Sequence, residues 1–111
     1  MMKLLTKEIK KRLPPLYSQE QVDDPLCQAK FFTPWSNWTW YVIEAQPAED
    51  SDDVLFFGYV IGHEAELGYF SLKELQSVRG PMGLRIERDI LFKPTPLSEV
   101  KKIHGKLALL Q

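Results

Sequence analysis

The octapeptides WTWYVIEA, Trp38 to Ala45, and VLFFGYVI, Val54 to Ile61, decide the fold. Both are dense in β-branched and aromatic side chains, which suit a pleated, packed surface. Between them Gln46 to Asp53 is polar and acidic, the composition of a hairpin loop. Strict alternation puts Trp38, Trp40, Val42 and Glu44 on one face of the first segment and Thr39, Tyr41, Ile43 and Ala45 on the other. The second segment is apolar on both faces. Such a strand is central and covered on both sides, here by helices or long loops.

Working outward, Ala29 to Thr33 reads as a shorter strand stopped by Pro34, with a turn at Ser36-Asn37. On the other side Gly62 to Glu66 is a turn and Leu67 to Phe70 a third strand. Ser71-Leu72-Lys73-Glu74 has the spacing of a capping box and opens a helix with Leu72, Leu75 and Val78 on one side. Gly80 suits a left-handed cap at its end. Glu87-Arg88 leads into a last strand, Asp89 to Lys93, and Thr95 caps a helix from Pro96 to about Leu107. At the start Thr6 caps a helix over Lys7 to Leu13, whose Leu5, Ile9 and Leu13 form an apolar stripe. Pro14-Pro15 stops it, and residues 16–27 read as a surface connection. The expectation is an α+β protein: a small, mostly antiparallel sheet of about four to five strands packed with two to three short helices.

The 111 residues fit one domain, 1–111, long enough to fold without metal or disulfides. Apolar residues make up 44% and charged residues 26%, a composition that argues against wholesale disorder. Fourteen basic and fifteen acidic side chains leave a formal charge of −1, so no global field draws the chain to nucleic acid or an anionic membrane. Charge is nonetheless polarised: Lys3, Lys7, Lys10, Lys11 and Arg12 crowd the beginning, and Glu44, Glu49, Asp50, Asp52 and Asp53 the hairpin loop. A single cysteine, Cys27, excludes an internal disulfide and a CxxC site. No apolar run approaches the roughly 20 residues that span a bilayer, and the start is too weakly apolar for a signal peptide. A cytoplasmic protein without membrane association is expected.

Four stretches together resemble one bacterial family, catalogued as domain of unknown function 2958. They are the initial KLLT (Lys3 to Thr6), KFFTPWSNWTWYVIE (Lys30 to Glu44), FFGYVIGHEAELGYFSLKEL (Phe56 to Leu75) and RGPMGLRIERDILFKPTPLSE (Arg79 to Glu99). The resemblance runs through nearly the whole chain, and the ELGYFSL and ERD segments are its most specific parts. It implies a small accessory protein of plasmids, phages or genomic islands. It implies no activity and carries over no functional residue.

The residues themselves offer no catalytic set and no cofactor motif. His63-Glu64-Ala65-Glu66 lacks the second histidine of a zincin helix, so no metal site is expected. No serine stands in a glycine-flanked elbow, and no glycine pattern cradles phosphate. Candidate binding residues are the tryptophans Trp35, Trp38 and Trp40 with the charged Glu66, Arg88 and Asp89. Trp35, which follows Pro34 in a turn, is the best placed for exposure. The ordinary reading of Arg88 is a pair with Glu66 or Glu44 at the sheet edge. The acidic loop, Glu49, Asp50, Asp52 and Asp53, is a candidate partner-facing surface, its ordinary reading being a solvated hairpin. The leading functional reading is a non-enzymatic protein-interaction module with an unknown protein partner. The alternatives are a single-stranded nucleic-acid-binding accessory protein, with aromatics stacking on bases, and a small-ligand-binding or enzymatic domain.

Overall fold

In the computed structural model, residues 3–109 are described, and the side chains of residues 106–109 are left aside. The described elements run α1 (Lys7–Arg12), β1 (Leu26–Cys27), β2 (Ala29–Phe32), β3 (Thr39–Pro47), β4 (Val54–Ile61), β5 (Ala65–Ser71), α2 (Leu72–Ser77), β6 (Glu87–Arg88), β7 (Thr95–Pro96) and α3 (Leu97–Leu109). A short 3-10 turn, Pro81–Gly83, joins α2 to β6. Five strands form one antiparallel sheet in the order β5-β4-β3-β2-β6, and β1 pairs with β7 in a small second sheet. The α+β architecture is the one expected.

The central strands bury both faces. On one, Phe31, Val42, Ala45, Phe56 and Phe70 pack with Leu4, which precedes α1, with Ile9 of α1 and with Leu72 and Leu75 of α2. On the other, Cys27, Tyr41, Ile43 and Tyr59 pack against Leu97 and Val100 of α3. Phe31 and Phe56 are fully enclosed, their rings 6.0 Å apart. Truncating such a ring to alanine costs about 3–5 kcal/mol. The second face is covered incompletely: α3 leaves Leu55, Leu67 and Tyr69, toward the β5 edge, exposed.

Strict alternation fails in β3, because a β-bulge interrupts the β3–β4 register between Val42 and Glu44. Val42 stands opposite Gly58 and Glu44 opposite Phe57, so Ile43 is the extra residue. Ala45 thereby joins Val42 in the first core, while Glu44 turns to the face of Tyr41 and Ile43. There the residue is 4% exposed, and its carboxylate takes one backbone amide on each oxygen. The Tyr17 amide donates to Oε1 (3.0 Å) and the Gln19 amide to Oε2 (2.8 Å). The Ala45 amide donates to the Pro14 carbonyl (2.9 Å). The loop after α1 thus lines β3 beyond the end of β2. Tyr17 adopts φ +70° there, a left-handed conformation that costs a non-glycine residue energy and is held by these bonds.

Other local expectations divide. Thr6 and Ser71 cap α1 and α2, accepting from the Ile9 and Glu74 amides at 3.2 and 3.1 Å. The expected strand over Asp89 to Lys93 is a turn instead. The Asp89 carboxylate accepts from the Leu91 amide (3.0 Å) and the Asp89 carbonyl from the Phe92 amide (3.2 Å), so chain direction changes at once and Ile90 and Leu91 are exposed. Gly80 is extended, not left-handed; a Cβ there would lie 2.4 Å from the Trp35 ring, so close packing is what excludes a side chain. The start of α3 is served by Asp24, not by Thr95. The Asp24 carboxylate accepts from the Ser98 amide (2.9 Å) and hydroxyl (2.6 Å), which hold its pKa below the ordinary value.

Two outcomes check this packing. Cys27 is fully enclosed and burial pushes its thiol up to about 12. A thiol reagent at neutral pH should therefore label the protein only in denaturant; labelling of the native protein at the denatured rate would contradict the packing. His104 is tied to the sheet through the Tyr41 hydroxyl (2.7 Å), and burial followed by the nearby Lys30 charge lowers its pKa from 6.5. Above that pH neither state binds the proton; below it the unfolded chain binds one that the native chain resists. Thermal stability should fall as pH drops below 6.5, and His104→Gln should flatten that slope.

Candidate functional site

The β2–β3 hairpin is short because Thr33 closes it. Its amide donates to the Trp38 carbonyl (3.0 Å), and its hydroxyl accepts from the Trp38 amide (3.2 Å). Trp38 therefore emerges at the start of β3 with a fixed backbone. Its ring lies on Gly62 at the end of β4, where a Cβ would stand 2.3 Å from the indole carbons. Trp40, two residues on, shares its face, and the two rings stack at 5.9 Å with 28° between planes.

From Trp40 a row of side chains crosses the sheet: Trp40 stands opposite Val60 on β4, and Val60 opposite Glu66 on β5. Gly68 follows on the same face, and a Cβ there would meet nothing within 4 Å. The absence of a side chain leaves a trough. Leu75 and Val78 form its opposite wall, and Glu74 lies at its edge. The groove holds about 330 Å³. Its walls are aromatic and aliphatic, its charged groups are the Glu66 and Glu74 carboxylates, and among the described residues no lysine, arginine or histidine lines it.

Trp38, Trp40 and Glu66 are thus brought together, and the remaining candidates are not. Trp35 is half-buried against the first core and Gly80, so its turn position does not expose it. Arg88 and Asp89 belong to the β6 edge, and Glu66 to the β5 edge, with three strands between. Arg88 pairs with neither Glu66 nor Glu44; its guanidinium donates to the carbonyls of Lys3 and Leu4, tying the chain start to β6. Asp89 reaches Lys30 (3.7 Å). In the acidic loop Asp52 pairs with Lys73 (2.8 Å), and Asp53 accepts from the Val54 and Lys73 amides (2.8 and 2.9 Å). Two of the four loop acids therefore fasten the hairpin to the first turn of α2, and Glu49 and Asp50 stay exposed. In the sequence Glu74, next to Lys73, stands only as the far half of a capping box. Gly68 carried no signal, because an open Cβ position shows only once α2 is laid against β5.

Fold and site define a small α+β protein with an aromatic, carboxylate-edged groove between its sheet and α2. The chain belongs to the family described as Protein of unknown function (DUF2958), whose sequence model matches residues 4–107. No curated protein and no solved structure matches the chain.

The Trp38–Gly62 contact is open to test. Gly62→Ala should push the indole outward and raise the fraction of tryptophan fluorescence quenched by acrylamide, and Trp38→Phe should abolish the increase. Equal quenching of Gly62→Ala and the parent would place the ring elsewhere.

Proposed function

We propose that the protein is an interaction module that receives a cationic side chain, arginine in the first instance, from a basic segment of a partner protein. The observation that carries this reading is the convergence of Trp38 and Trp40 with Glu66 and Glu74 around an open trough. A cation over an indole face gains about 0.5–2 kcal/mol, and a charged hydrogen bond to a carboxylate about 1.5–3 kcal/mol. Arginine satisfies both demands at once: its planar guanidinium stacks on an aromatic ring while its fork meets a carboxylate. A volume of about 330 Å³ suits one long side chain better than a large organic ligand.

The acidic hairpin extends the same field. Lys73 binds the loop to α2, and Glu74 follows it into the groove, so exposed Glu49 and Asp50 lie on the approach to the α2 end. A basic segment of the kind that proteins handling DNA carry would fit this surface, in keeping with an accessory role in a plasmid, phage or genomic island. Base-stacking by the same tryptophans is disfavoured, because the charged groups lining their groove are carboxylates, which repel phosphate, although the His63 ring also packs edge-on against Trp38.

Titration with a fluorescent arginine-rich peptide tests the proposal. The expected result is binding that weakens with salt, favours the arginine peptide over its lysine counterpart, and falls about tenfold or more in Glu66→Gln/Glu74→Gln. The loop variant Glu49→Gln/Asp50→Asn should lose less. Affinity unchanged by the groove substitutions, or lost only with the loop ones, would overturn the assignment to the groove.

A further inference from the structure

A second concavity lies on the opposite face of the sheet, between the turn end of the β2–β3 hairpin, the β4–β5 turn and α3. It holds about 760 Å³, more than twice the tryptophan groove and within the range of small-molecule sites. Its chemistry is the reverse. Lys30 reaches it from β2 and Lys101 from α3, each over one of two tyrosine rings paired across β3 and β4. The Lys30 ammonium is 5.8 Å from the Tyr41 centroid and the Lys101 ammonium 5.6 Å from that of Tyr59. His63 and His104 also line the wall.

Glu64 lines the rim, and Asp89 holds Lys30 at 3.7 Å without enclosing it, since both side chains keep more than a quarter of their surface in solvent. Such a pair contributes little and leaves Lys30 able to meet a second acceptor. Among the described residues no carboxylate lies within ion-pair distance of Lys101. Phe32 and Ile61 supply apolar wall, and the exposed Asn37 amide a neutral donor and acceptor.

We propose that this surface binds a phosphorylated small molecule of nucleotide size. Its phosphate oxygens would lie between the Lys30 and Lys101 ammoniums, and its less polar part against Phe32 and Ile61. Two lysines approaching from separate elements give a point-charge clamp for an oxyanion. The His104 ring, already hydrogen-bonded through Nε2 to the Tyr41 hydroxyl, closes the floor as a fixed polar wall. A single-stranded polynucleotide would need a basic track continuing past the clamp, and the charges next along the rim are the carboxylates Glu64 and Asp89.

The probe is adenosine monophosphate, titrated into the ¹⁵N-labelled full chain beside adenosine, inorganic phosphate and a thymidine oligomer. Saturable shifts are expected at residues 33–39, 62–65 and 101–105, with a Kd of about 1 mM or tighter. Adenosine should bind at least about tenfold more weakly, as should the monophosphate to Lys101→Glu. Lys101 is exposed, so that variant should keep the parent spectrum elsewhere; Lys30→Gln provides an independent second weakening. Absence of saturable shifts, equal affinity in Lys101→Glu, or binding by the oligomer but not the mononucleotide would each overturn the proposal.

Discussion

One extra residue in β3 sets the arrangement of everything around it. Without the bulge at Ile43, Glu44 would point into the core beneath the helices, a buried charge with no partner. With it, the carboxylate turns to the other face and meets two amides of the loop after α1. Loss of the carboxylate would remove the acceptor of both amides, at about 1.5–3 kcal/mol for each hydrogen bond to a charged group. The same shift lets Ala45 join Val42 in the first core, so the strand remains apolar where the helices cover it. The loop in turn occupies the flank of β3 that β2, only four residues long, does not reach.

The bulge also divides β3 functionally. Before it the strand keeps strict alternation, which aligns Trp40 with Val60 and Glu66 and puts Tyr41 on the opposite face. The two faces therefore carry contrary chemistry at the same end of the sheet: carboxylates beside indoles on one, ammoniums above phenols on the other. Near-neutral overall charge conceals this separation. Among the described residues no helix is long and apolar enough to cross a membrane.

Much of the fold was legible because periodicity and caps are local. The apolar runs marked β3 and β4, and Thr6 and Ser71 marked the starts of two helices. What escaped was non-local. The bulge cannot be read from alternating residues, since its cause is the pairing with Gly58 and Phe57 on another strand. Asp24 serves a helix 74 residues away, and Asp89 turns the chain where Ile90, Leu91 and Phe92 suggested a strand. The site was half legible for the same reason. Trp38, Trp40 and Glu66 stood out by residue type, but strand order separates Arg88 and Asp89 from them, and the packing of α2 against the sheet brings Glu74 in.

Native-state hydrogen exchange at the Tyr17 and Gln19 amides tests the placement of Glu44, and with it the register of β3, most directly. Both amides belong to a surface loop, yet each is bonded to a buried carboxylate. Slow exchange is expected at both, comparable to β3 itself, and fast exchange in Glu44→Ala. Exchange in the parent as fast as at neighbouring loop amides would contradict it. The carboxylate would then lie elsewhere, and the register of β3 beyond Val42 would be wrong.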